Sequence, residues 1–118
     1  MIALRPAQGK EEKVNIIAKS VGTMIAMKVL SEIGGRVNKI ILCGIPSVSN
    51  ERKKLFTASL SDFNPGNIIV FQNTKDPLAS FIEVKDFMKG VNPKIKVVEK
   101  PRVDHHYPYF VEFNEFLN

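Results

Sequence analysis

Cysteine is almost absent from this sequence, with Cys43 its single representative. That excludes an intramolecular disulfide and a cysteine-based zinc site, and a free thiol suits a reducing, cytoplasmic compartment. The residue lies inside an apolar run, which assigns it to packing, as do the positions of Met24 and Met27. Long apolar runs are missing too: Ile40 to Cys43 and Ile68 to Phe71 are far shorter than the roughly 20 residues that cross a bilayer. A transmembrane helix is thereby excluded. The first residues, Met1-Ile-Ala-Leu-Arg-Pro, turn polar and charged through Lys10 to Lys13, without the apolar core and cleavage site of a secretory signal. The expected location is the cytoplasm, with no membrane partner.

A basic tract is absent as well. The chain carries 17 Lys and Arg against 12 Asp and Glu, for a net charge of +5. Its cations are dispersed (Lys10, Lys13, Lys19, Lys28, Arg36, Lys39), and only Arg52-Lys53-Lys54 cluster. That triplet reads as a solvated helix face, because no aromatic interleaving or RNA-binding signature accompanies it, so no nucleic-acid partner is expected. Gly34-Gly35 is followed by neither a Gly-Lys-Ser/Thr pattern nor a Gly-x-Gly-x-x-Gly fingerprint, which removes the usual nucleotide-binding loops. No internal repeat or low-complexity segment appears.

What is present is an ordinary globular composition: 118 residues, 44% hydrophobic and 25% charged. One domain over 1–118 follows, with 1–13 as a lead-in and 14–118 as the core. A domain of this size buries roughly two-thirds of its unfolded surface.

Val14-Asn-Ile-Ile-Ala18 reads as a short buried strand, followed by a helical pattern (Val21, Met24, Ile25, Leu30) that stops at Gly34-Gly35. Val37 to Cys43 is the next strand, broken by Gly44-Ile-Pro46. Ser49 to Leu60 predicts a short helix capped by Asn50, with Leu55 and Leu60 inward, before a turn at Asn64-Pro65-Gly66. Ile68 to Phe71 is the third strand. Pro77 suits the first turn of a helix carrying Phe81, Val84, Phe87 and Met88 and ending at Gly90. Ile95 to Val98 supplies a fourth strand, and a last helix directs Phe110, Phe113, Phe116 and Leu117 at the core. The alternation predicts an α/β three-layer sandwich with a short, mostly parallel sheet of about four strands and right-handed crossovers.

Ligands of such sheets collect at the carboxyl ends of the strands. There the sequence places Ser20, Asp76 and His105-His106. Ala18-Lys19-Ser20-Val21-Gly22 sets small residues two before and two after a serine at a strand-to-helix turn, the pattern of a nucleophile elbow. Small flanking side chains let strand and helix approach while the hydroxyl projects above the sheet, and the Val21 amide at the helix start points toward an oxyanion. A serine hydroxyl needs a base and an orienting carboxylate, and His105 and Asp76 are of the right types. Taken singly, Ser20 and Asp76 also read as helix caps. His106 is the adjacent candidate for the base, and Asp104 is read as shaping the loop of both histidines. Lys19 faces solvent or the site mouth.

On these residues the chain, over about Val14 to Asn118, resembles the C-terminal half of an α/β-hydrolase. Ala18 to Gly22 resembles the elbow with Ala in place of the first Gly, Asn73-Thr-Lys-Asp-Pro77 the acid turn, and Val103-Asp-His-His-Tyr107 the histidine loop. The resemblance implies a cofactor-independent serine hydrolase acting on a small-molecule ester, thioester or related acyl bond, with Ser20, Asp76 and His105 as triad and Val21 at the oxyanion hole. Complete members carry several strands before the elbow, whereas residues 1–13 alone precede Val14 here. Two expectations follow: an exposed parallel edge at 14–18, covered by a second copy or a partner chain, and, as the alternative function, a truncated, catalytically silent module for binding or assembly. A flavodoxin-like regulatory domain is the third reading, without the acidic pocket that would support it.

Overall fold

The computed structural model of the chain describes residues 1–7 and 12–118; Lys10 and Glu11, part of the expected lead-in, lie outside them. The described residues form five strands and four α-helices, alternating from the second strand onward: β1 (Ile2–Pro6), β2 (Val14–Lys19), α1 (Gly22–Ile33), β3 (Val37–Cys43), α2 (Asn50–Leu60), β4 (Ile68–Asn73), α3 (Phe81–Val91), β5 (Lys96–Lys100) and α4 (Phe110–Leu117). The sheet follows chain order, β1-β2-β3-β4-β5. β1 runs antiparallel to β2, and the other pairs are parallel.

Strand order and crossover handedness decide where the helices go. Three successive right-handed crossovers that all step the same way across the sheet deliver their helices to one face. Accordingly, residues of α1, α2 and α3 share one apolar cluster with Ile16, Ala18, Ile40, Leu42, Ile68 and Val70. The alternate strand residues Ile41, Cys43, Ile69 and Phe71 face the other way, toward Tyr107 and Phe113 of the C-terminal segment. The apolar runs of β3 and β4 are continuous because both of their faces are covered. Each fully buried aliphatic side chain there contributes about 1.5–3 kcal/mol.

The fold class is α/β in three layers, as expected, with five strands in place of four. The added strand occupies the edge that the sequence left open. Ile2 pairs with Ala18 and Pro6 with Val14, and Lys19 exchanges backbone bonds with Met1 at 2.7 and 2.9 Å. A row of unpaired N–H and C=O groups on β2 demands a partner, and the short apolar segment at the chain start fills that need from within, so 14–18 is not an exposed edge for another chain. The outer strands are instead β1, which ends at Pro6, and β5, which begins and ends on lysine. Proline and lysine both discourage edge pairing.

Several local expectations shift. Ser49, not Asn50, caps α2 by accepting from Arg52 N. α3 starts after Ser80, whose capping box with Glu83 outcompetes Pro77 as a start signal, and it runs through Gly90 to Val91. The buried stripe of α1 is Thr23, Ala26, Met27 and Leu30, while Val21 and Ile25 are exposed. Phe113 enters the core, but Phe110, one turn earlier, is 66% exposed. Cys43 and Met27 are buried, and Met24 packs partly against the core. Among the described residues no helix is long and apolar enough to cross a membrane.

Candidate active site

Ser20 is the residue where β2 turns into α1. Its φ is +59°, in the left-handed region that non-glycine residues seldom occupy. Three bonds hold this conformation: Ser20 N donates to Cys43 O at 2.9 Å, and Thr23 donates to Ser20 O from both its amide (2.9 Å) and its hydroxyl (2.7 Å). Gly22 is required by close approach, since a Cβ there would fall 1.9 Å from Met1 O. The turn is thus wedged between the end of β3 and the start of β1. Val21 stands at the α1 N-terminus, where amides without intrahelical partners project outward.

Asp76 lies in the loop after β4, with its side chain fully enclosed. It does not cap α3, a role taken by Ser80. Its Oδ1 accepts from Leu78 N at 2.9 Å. Its Oδ2 accepts from the Tyr107 hydroxyl and meets His105 Nδ1, both at 2.6 Å. An ionised carboxylate only accepts, so the proton of the second contact sits on Nδ1 and, in the neutral ring, Nε2 is left with a lone pair. His105 Nε2 is buried and makes no hydrogen bond. A basic nitrogen withdrawn from water and left without a partner is poised to accept a proton from something that enters.

His105 is the histidine brought to Asp76; His106 is exposed. Asn73, at the end of β4 and fully buried, holds the loop in place. Its Nδ2 donates to the carbonyls of Asp104 and His106, each at 2.9 Å, its Oδ1 accepts from the Tyr109 hydroxyl, and its backbone N donates to the Tyr107 oxygen at 3.0 Å. Asp104 shapes the same loop, receiving Arg102 on both oxygens and the His106 amide on Oδ1. The Arg102 guanidinium, then the His106 amide, hold its carboxyl down at about 2.

Gly44 links the two halves. It follows Cys43, the acceptor for Ser20 N, has φ +62°, and donates to Phe71 O. A Cβ at this position would come within 2.7 Å of the Tyr107 ring and 2.9 Å of the His105 ring. The histidine therefore lies over the backbone next to the strand end that anchors Ser20. Ser20 and His105 do not hydrogen-bond to each other. Burial pushes the Cys43 thiol up to about 12, so it stays protonated and unreactive. A cavity of about 340 Å³ opens beside this cluster on the α4 side of the sheet, between Ile17, Lys19, Cys43, Tyr107, Phe110 and Phe113.

Sequence reasoning named Ser20, Val21, Asp76 and His105, and missed the roles of Gly44, Asn73, Tyr107 and Tyr109. One signal was available: both tyrosines of the chain fall in the histidine loop, where a buried hydroxyl needs a partner. No protein-family model and no curated protein matches the chain.

Proposed function

We propose that the chain is a serine hydrolase of the α/β-hydrolase type that cleaves a small-molecule ester, thioester or related acyl bond in the cytoplasm. The observation that carries this reading is the pairing of His105 Nδ1 with buried Asp76 at 2.6 Å, which leaves Nε2 enclosed and unpartnered. The left-handed turn at Ser20, at the same end of the sheet, supports it.

In this mechanism Ser20 Oγ attacks the acyl carbon while its proton passes to His105 Nε2. Asp76 stabilises the imidazolium, and the Val21 amide receives the oxyanion. The imidazolium returns the proton to the leaving group, and water then repeats the sequence to release the acid and restore Ser20. Closure of the Ser20–His105 contact belongs to the substrate-bound state, because such contacts are often long in the free enzyme and tighten on binding.

The test is labelling with a fluorophosphonate. The native chain is expected to form a serine adduct, seen as a mass increase on the peptide containing Ser20, and Ser20→Ala and His105→Ala are expected to abolish it. An unlabelled, folded native chain overturns this reading. It would favour a catalytically silent binding or assembly module, for which the missing Ser20–His105 bond is the supporting observation.

A further inference from the structure

We infer that Tyr107 is a positioning residue: its hydroxyl, held by the Asn73 amide and donated to the same Asp76 oxygen that binds His105, sets how strongly that carboxylate pulls on the histidine ring. The inference rests on the triad reading for its catalytic meaning, but its geometry stands independently.

Asp76 Oδ2 receives two 2.6 Å contacts, one from each side chain. The two donors share the negative charge of one oxygen. Whatever the tyrosine withdraws is lost to the imidazolium, so the hydroxyl loosens the hold of Asp76 on the ring. The phenol's direction is fixed. Asn73 N occupies a lone pair of its oxygen at 3.0 Å, leaving the proton to point at Asp76. Its ring meets the His105 ring edge-on at 5.9 Å and rests over Gly44, so it also confines the imidazole. Burial, ahead of its contact with Asp76, pushes the phenol well above its ordinary range, so it remains a neutral donor.

The other ionisable groups nearby leave the tyrosine in control. Cys43, at the end of β3, stays a neutral thiol under the same burial. Asp104 on the histidine loop is matched by Arg102, His106 is exposed, and Lys19 lies beyond Cys43 at the end of β2, where its charge acts on the thiol.

The experiment is an NMR titration of the His105 ring, with His106→Gln included so that one histidine remains. Tyr107→Phe keeps the ring and removes the hydroxyl, and is expected to raise the His105 pKa by about half a unit to one unit. The acid limb of the fluorophosphonate labelling rate moves up in pH by the same amount. Because loss of the hydroxyl strands the Asn73 amide, 3-fluorotyrosine placed at 107 is the second variant: it keeps every bond, donates more strongly, and is expected to lower the His105 pKa. Opposite shifts in the two variants establish the role, and the fluorotyrosine shift alone does so where Tyr107→Phe does not fold. An unchanged His105 pKa in folded protein overturns it. The titration needs no activity, so a failure to label the native chain sinks the hydrolase reading without touching this result.

Discussion

At Ser20, position is a property of the backbone. A left-handed residue is fixed by three hydrogen bonds to its main-chain N and O and by a glycine two residues on. At His105 the reverse holds: the loop is irregular, and side chains of Asp76, Asn73, Tyr107, Tyr109 and the Arg102–Asp104 pair fix its path. The difference follows what each group would have to do. A nucleophile needs a free hydroxyl at a defined point, so its surroundings must hold the main chain alone. A base needs one nitrogen engaged and the other free, which only a directed hydrogen bond secures.

Gly44 belongs to both halves, and its replacement has the largest expected effect. Gly44→Ala forces a Cβ into a left-handed position and against the His105 and Tyr107 rings. Left-handed strain and overpacking together cost roughly 2–5 kcal/mol. Urea unfolding is expected to show that loss together with loss of labelling. An alanine variant of native stability would mean that the two halves are not packed on this backbone.

Ser20→Gly probes the backbone half with a smaller effect of the opposite sign. If strain is stored at φ +59°, glycine relieves it and stabilises the fold by about 0.5–1 kcal/mol, whereas Ser20→Ala retains it. The melting temperature of the glycine variant is therefore expected to exceed that of the alanine variant, and equal values would show a relaxed turn.

The smallest effect is at the rim of the side-chain half. Asp104 is held at about 2 against an ordinary 3.8. Its folded value is depressed, so its contribution is complete above the ordinary value and disappears as pH falls from there through about 2. Carbon-detected NMR is expected to place the Asp104 midpoint there in the native chain and nearer the ordinary value in Arg102→Ala. Stability at neutral pH should barely change, because the pair is solvated.

The backbone half was the more legible in the sequence, for a physical reason. Small residues around Ser20 and β-branched runs in β2 and β3 act locally, and local rules read them. β3 appears with its expected bounds, and the layers and parallel order follow from apolar periodicity. The residue types at 20, 76 and 105 were legible because strand ends were. What escaped notice depends on distant partners. β1 forms because β2 has an edge to fill, which five residues of mixed character do not announce. The tasks of Asn73 and Tyr107 exist only once residues 31 to 34 positions apart meet. Phe110 fits the helical stripe of α4 yet is exposed, because periodicity gives a helix face without giving what lies beneath each of its residues.

The strand order also bears on how the molecule is made. Each strand after the first joins the one just before it in the chain, so a growing polypeptide can extend its sheet as residues emerge, without waiting for a later segment to insert. The site has no such stepwise history. Ser20 is available once the first parallel pair closes, but Asp76 and the buried face of Gly44 stay uncovered until residues 105–109 arrive at the far end of the chain. Synthesis that stops before the histidine loop would yield a sheet with most of its pairings and without the contacts of Asp76 to His105 and Tyr107.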